Sequence, residues 1–85
     1  MKESEIQKQI IEYLRARGCL VHAIVQQYNS SRVAGYVKGV PDLICWHNAK
    51  PVYIEVKTKT GVQSEAQKDF EKNCIARNIQ YYLCR

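Results

Sequence analysis

Within residues 4–17 the apolar side chains Ile6, Ile10, Tyr13 and Leu14 recur at helical spacing, which places them on one face of an amphipathic α-helix. Gly18 stands where such a helix ends, because the residue after the C-cap commonly takes a positive φ. Residues 20–25 are a short apolar run rich in β-branched side chains and predict a strand. The pattern dissolves over residues 26–39, QQYNSSRVAGYVKG, a polar stretch with two glycines that is long for a connection in so short a chain. Stretches of this kind are functional loops or partly extended, and residues 33–38 offer a marginal edge strand.

Pro41 pushes Val40 into an extended conformation and lacks the N–H that a central ladder needs, so it marks the start of a strand. That strand, residues 42–46, opens with an acid, Asp42. The turn-like HNAKP of residues 47–51 leads into residues 52–59, where Val52, Ile54 and Val56 face one side and Tyr53, Glu55, Lys57 and Lys59 the other. The two strands read as a β-hairpin. After a turn at residues 60–63, Ser64 opens a second helix that ends near Arg77 and Asn78, with Phe70 and Cys74 on its inner face. Residues 79–83 supply a last strand. The order α-β-(β)-β-β-α-β predicts one α/β domain over residues 1–85, a sheet flanked by helices.

Composition sharpens this picture in two respects. The chain has 85 residues, 46% apolar and 25% charged, which argues against disorder. A domain this small has a thin stability margin, and dimerisation would relieve it. Lys and Arg number 13 against 8 acids, for a formal charge of +5. That surplus favours polyanions such as nucleic acid, although a solvated surface kept soluble by its charge would show the same. The four cysteines, Cys19, Cys45, Cys74 and Cys84, include no CxxC pair, which argues against a zinc site. No secretory signal precedes them and each lies in or beside an apolar stretch, so reduced core thiols in a cytoplasmic protein are expected. The longest apolar run is too short to span a bilayer.

The candidate chemistry lies in Asp42 and the E-V-K of residues 55–57. Side chains two apart on a strand share a face, so Glu55 and Lys57 point together while Val56 packs inward. Hairpin pairing can bring Asp42 to the same end of the sheet. Two carboxylates there, with the Val56 carbonyl, are hard oxygen ligands suited to Mg²⁺ or Mn²⁺. A lysine beside such an ion can orient a water, help deprotonate it, or stabilise a charged phosphoryl transition state. The plainer alternative is a cross-strand ion pair on a solvated face.

Three further features bear on that choice. Glu3 shares the helical face of Ile6, Ile10 and Leu14, whereas Glu5 points away, so Glu3 is drawn toward the sheet; the alternative is an exposed acid in a helix's first turn. Gln67 shares a face with Phe70 and Cys74 and should also look toward the sheet. Ser64 and Gln67 equally fit an S-x-x-Q capping box, and the two roles are compatible. Lys57, Lys59, Lys68 and Lys72 cluster near the candidate site in sequence, with Arg32 and Lys38 on the long loop, as phosphate contacts would. Tyr28 and Tyr36 could stack on bases, although packing is the commoner role of tyrosine.

The segments GVPDLI, IEVKTKTG and SEAQKDF, preceded by ESEIQKQIIEYLRARG, resemble the stand-alone VRR-NUC (virus-type replication-repair nuclease) domain of the PD-(D/E)xK nuclease superfamily, over nearly the whole chain. The resemblance implies a restriction-endonuclease-like αβββαβ core with a mixed sheet. It implies Asp42 and Glu55 as metal carboxylates, Lys57 as catalytic lysine, Glu3 as the acid of the first helix and Gln67 as the glutamine of the last motif. It further implies dependence on Mg²⁺ or Mn²⁺ and a homodimer hydrolysing DNA, with branched substrates such as four-way (Holliday) junctions. The cytoplasm of a bacterium or a phage-infected host is the expected location. Arg32, Lys38, Lys59 and Lys68 are the expected DNA contacts. The alternatives are a basic module of the same fold that binds DNA without cutting it, or a nuclease acting on linear duplex ends or nicks.

Overall fold

The computed structural model describes residues 2–24 and 38–85. Arg32, Tyr28, Tyr36, Val25 and most of the proposed 33–38 strand lie outside these residues. The elements run α1 (Glu3–Ala16), β1 (Leu20–Ala23), β2 (Leu43–His47), β3 (Lys50–Val56), α2 (Glu65–Ala76) and β4 (Gln80–Cys84). The α-β-β-β-α-β order and the α/β class agree with the sequence pattern.

Both helices stop by the same device. Gly18 at φ +86° lets its own N–H reach the Arg15 carbonyl and the Cys19 N–H the Leu14 carbonyl; Asn78 at φ +59° repeats this with Ile75 and Cys74. These paired bonds are Schellman motifs, and Gly and Asn are the residues that tolerate the left-handed turn.

The four strands lie in the order β1-β2-β3-β4. β1 with β2 and β2 with β3 are antiparallel, and β3 with β4 is parallel, with α2 as the crossover, so the sheet is mixed. The β2–β3 hairpin is tighter than the predicted five-residue turn. Asn48 and Ala49, at φ +52° and +66°, make a two-residue connection, so β3 begins at Lys50 rather than Val52. Pro51 is tolerated within β3 because it faces Trp46 on β2 but precedes the first pair with β4, Val52 with Gln80. β3 ends at Val56 instead of Lys59, because the chain folds back through a turn closed by the Gly61 N–H on the Thr58 carbonyl.

The pleat gives the sheet two faces. Val21, Leu43, Cys45, Ile54 and Val56 form the core on one, covered by Ile6, Ile10, Ile11 and Leu14 of α1. Tyr13, expected in that stripe, is 61% exposed, with the Arg17 guanidinium over its ring at 5.5 Å. It sits at the margin of the helical face, and Ile11 on the opposite margin packs instead. On the other face Phe70 of α2 meets Tyr53 edge-on at 5.3 Å between centroids and Tyr81 at 6.4 Å, and Cys74 is buried. All four cysteines carry free thiols, with Cys19 and Cys84 half-buried and Cys45 and Cys74 buried. Among the described residues, no helix is long and apolar enough to cross a membrane.

Candidate metal centre

Asp42 immediately precedes β2, held by the extended Val40-Pro41 segment. Its backbone carbonyl accepts the Ile24 N–H at 2.8 Å, continuing the β1–β2 pairing. Pro41 precedes the first β2 residue paired with β3, Leu43, and there the Asp42 side chain replaces the ladder: Oδ2 accepts the Val56 N–H at 2.8 Å. The aspartate thereby fixes itself to β3 beside Glu55. Gly39 permits this approach, since at φ +85° its Cα lies so close to α2 that an added Cβ would be 2.3 Å from the Ala66 carbonyl oxygen.

Glu55 is on the α2 face of β3 and only 1% exposed. A carboxylate at that depth needs partners. Gln67 supplies one, its Nε2 donating to Glu55 Oε2 at 3.1 Å, while Glu55 Oε1 is buried with no hydrogen-bond partner among the described residues. Burial first, then the nearby Asp42 carboxylate, raise the Glu55 carboxyl from 4.5 to about 8; Glu3 adds to this and Lys57 opposes it.

Glu3, the first residue of α1, completes the group. One carboxylate oxygen each from Glu3, Asp42 and Glu55 lie within 4.8 Å of one another. Glu5 is not part of this cluster, so the helical face distinguishes the two acids. Three acids at such range repel strongly unless a proton or a cation joins them. The oxygen-only donor set, with one orphaned buried oxygen, fits a hard divalent cation.

The other expected site residues divide. Gln67 performs both of its proposed roles, because besides reaching Glu55 its Oε1 accepts the Ser64 N–H at 2.8 Å and its own N–H donates to Ser64 Oγ at 3.2 Å, a complete capping box. Lys57 follows β3 directly, half-buried, and its charge is felt at Glu55. Lys38 is exposed and borders a cavity of about 450 Å³ whose wall includes Asp42 and Gln67. Lys59 is exposed on the turn after β3. Lys68 pairs with Glu65 at 3.5 Å, so part of its charge is already answered on its own helix. Lys72 is exposed on α2.

Two residues at this end of the sheet were given no role in the sequence. Gly39 opens the GVPDLI segment, where its close approach to α2 has no sequence signature. Arg85 donates from Nη1 to the Thr58 carbonyl at 3.4 Å and to the Gly61 carbonyl, clasping the turn that follows Lys57.

The VRR-NUC domain family matches residues 4–85, essentially the whole chain. No curated protein and no solved structure matches it significantly.

Proposed function

The chain belongs to the VRR-NUC domain family, a nuclease family, and from that membership we propose that it is a metal-dependent DNA endonuclease that hydrolyses phosphodiester bonds. One observation carries the reading: one carboxylate oxygen each from Glu3, Asp42 and Glu55, on separate segments, lie within 4.8 Å of one another, and Glu55 is buried with its Oε1 unpartnered among the described residues.

In this reading Asp42 and Glu55 hold Mg²⁺ or Mn²⁺, with Glu3 and the Val56 carbonyl completing the protein's share. A bound ion of this kind supplies Lewis-acid stabilisation of phosphoryl oxygens and lowers the pKa of a coordinated water. The Lys57 ammonium provides a hydrogen-bond donor and a positive charge where negative charge grows on the phosphate. Gln67 holds the Glu55 carboxylate in one rotamer, so that its free oxygen stays aimed at the centre. Lys38, on the cavity that Asp42 and Gln67 line, and Lys59, on the turn after β3, contact backbone phosphates, positioning the strand without reading its sequence. Lys68 adds a contact with less charge to spare, and Arg32, outside the described residues, is a further candidate from the sequence.

The preferred substrate is branched DNA, cut by a homodimer. Two symmetric cuts in a four-way junction call for two sites related by a two-fold axis, and a chain this small gains from an interface.

Labelled junction, flap, nicked and plain duplex DNA incubated with the protein in Mn²⁺ test this directly. Junction cleavage is expected from the parent and none from Asp42→Asn, which keeps an acceptor for the Val56 N–H but removes the charge. Salt-dependent binding with no product in either metal would instead make the chain a DNA-binding module. Products from linear ends or nicks alone would overturn the junction preference.

A further inference from the structure

Lys57 lies past the last β2–β3 residue pair, Leu43 with Ile54. β4 and the turn that follows both restrain it. The Lys57 N–H donates to the Cys84 carbonyl at 2.8 Å, closing the last parallel pair, Val56 with Cys84. Residues 58–61 then fold into a turn closed at 3.1 Å by the Gly61 N–H on the Thr58 carbonyl.

Arg85 spans this turn, with Nη1 donating to the carbonyls of both its first and last residues, Thr58 and Gly61. Gly61 in turn lies along the lysine stem: a Cβ added there would be 3.4 Å from both Cβ and Cδ of Lys57. The turn backbone is therefore a wall for the Lys57 methylenes, and Arg85 is the clasp that keeps the wall closed. Arginine suits this task because Nη1 of its always charged group carries two N–H donors, one for each carbonyl.

We infer that Arg85 is a positioning residue for Lys57, setting where its ammonium stands relative to the carboxylate cluster through the 58–61 turn. The effect on turnover rests on the nuclease reading; the effect on Lys57 itself does not. Arg85 is exposed and is not part of the core cluster, so its removal leaves the core intact.

Two measurements on the full chain test this. In steady-state cleavage, Arg85→Ala lowers kcat on the order of 10- to 100-fold, the loss expected when a catalytic group shifts by a fraction of an ångström to an ångström. KM for DNA stays within about twofold. Arg85→Lys, which keeps a charged nitrogen with donors for the two carbonyls on a shorter side chain, recovers part of kcat. Parent-like kcat in Arg85→Ala, or a loss confined to KM that Lys reverses, overturns the inference and makes Arg85 at most a phosphate contact. In NMR, Arg85→Ala makes the Gly61 amide exchange at least about tenfold faster and moves the Lys57 side-chain resonances, while Ile54 and Tyr82 amides and Tm stay unchanged. Unchanged Gly61 exchange and Lys57 resonances overturn it. Should the parent cut no DNA, the nuclease reading alone fails and the NMR result still decides the placement of Lys57.

Discussion

Gln67 reaches Glu55 across the gap between α2 and β3, Nε2 to Oε2 at 3.1 Å, with the other end of the same amide fixed on the Ser64 backbone. A single side chain thus joins the start of a helix to a buried acid on the sheet. The amide can do so because it is donor and acceptor at once, which neither a carboxylate nor an apolar isostere can be.

Substitutions at Gln67 should therefore separate the two tasks. Gln67→Met loses the reciprocal half of the capping box and leaves Glu55 without its donor, costing about 1–3 kcal/mol of stability. Gln67→Glu keeps an acceptor for Ser64 and so most of the cap, but sets a fourth acid against the cluster. Urea unfolding is expected to find Gln67→Glu closer to the parent in stability when a divalent ion is present than when it is absent. Divalent-ion affinity and cleavage in parallel show whether Gln67→Met is impaired in both.

The raised Glu55 carboxyl fixes the sign of a pH effect. Its folded value, about 8, lies above the ordinary 4.5, so the folded chain holds a proton that the unfolded chain releases over that window. The contribution is complete below about 4.5 and is lost as pH rises through about 8. The metal-free protein should therefore lose Tm on this account as pH increases across that range, and Glu55→Gln should flatten the slope. Mg²⁺ or Mn²⁺, competing with that proton, should raise Tm more at pH 8 than at pH 6. Thermal scans over pH, with and without metal, provide the check.

Two glycines at nearly the same φ give a controlled comparison. Gly18 at +86° has nothing within 4 Å of an added Cβ, whereas at Gly39, φ +85°, the Cβ would meet backbone atoms of α2. Gly18→Ala should cost about 1–2 kcal/mol, the left-handed penalty alone. Gly39→Ala should cost about 3 kcal/mol or more and should lower divalent-ion affinity, because α2 and the Asp42 segment can no longer close on each other. Denaturant midpoints for both variants, with calorimetric metal titration, measure the difference.

Lys57→Met keeps most of the stem and removes the charge. Since that charge lowers the proton affinity of Glu55, its loss should move the pH dependence of metal binding upward as well as abolish cleavage. An isothermal titration series against pH, compared with the parent, tests the shift separately from activity.

The elements were legible where one periodicity prevailed. Helical spacing in α1, the alternation of β3 and the S-x-x-Q start of α2 all correspond to observed structure, and Glu3 was separable from Glu5 by helical face alone. The hairpin is present as expected, but its turn is shorter than HNAKP suggests, because Asn48-Ala49 lacks the glycine that usually advertises a two-residue turn, yet both residues take positive φ. Tyr13 was misplaced because apolar spacing does not reveal which edge of a stripe the sheet will cover. The roles of Gly39 and Arg85 were not legible, since each acts through contacts made only after distant segments meet: Gly39, although it opens the GVPDLI segment, on α2, and Arg85 on the turn after β3. The 26–39 stretch had no motif, and most of it lies outside the described residues.

The acids at the centre belong to positions 3, 42 and 55, contributed by the opening turn of a helix, the approach to one strand and the body of the next. No short fragment contains all three. A capacity to bind a hard cation would therefore be the property of a completed tertiary structure. Partly unfolded molecules would lack it, so that under the nuclease reading the fraction of chain able to capture metal would report the fraction correctly folded.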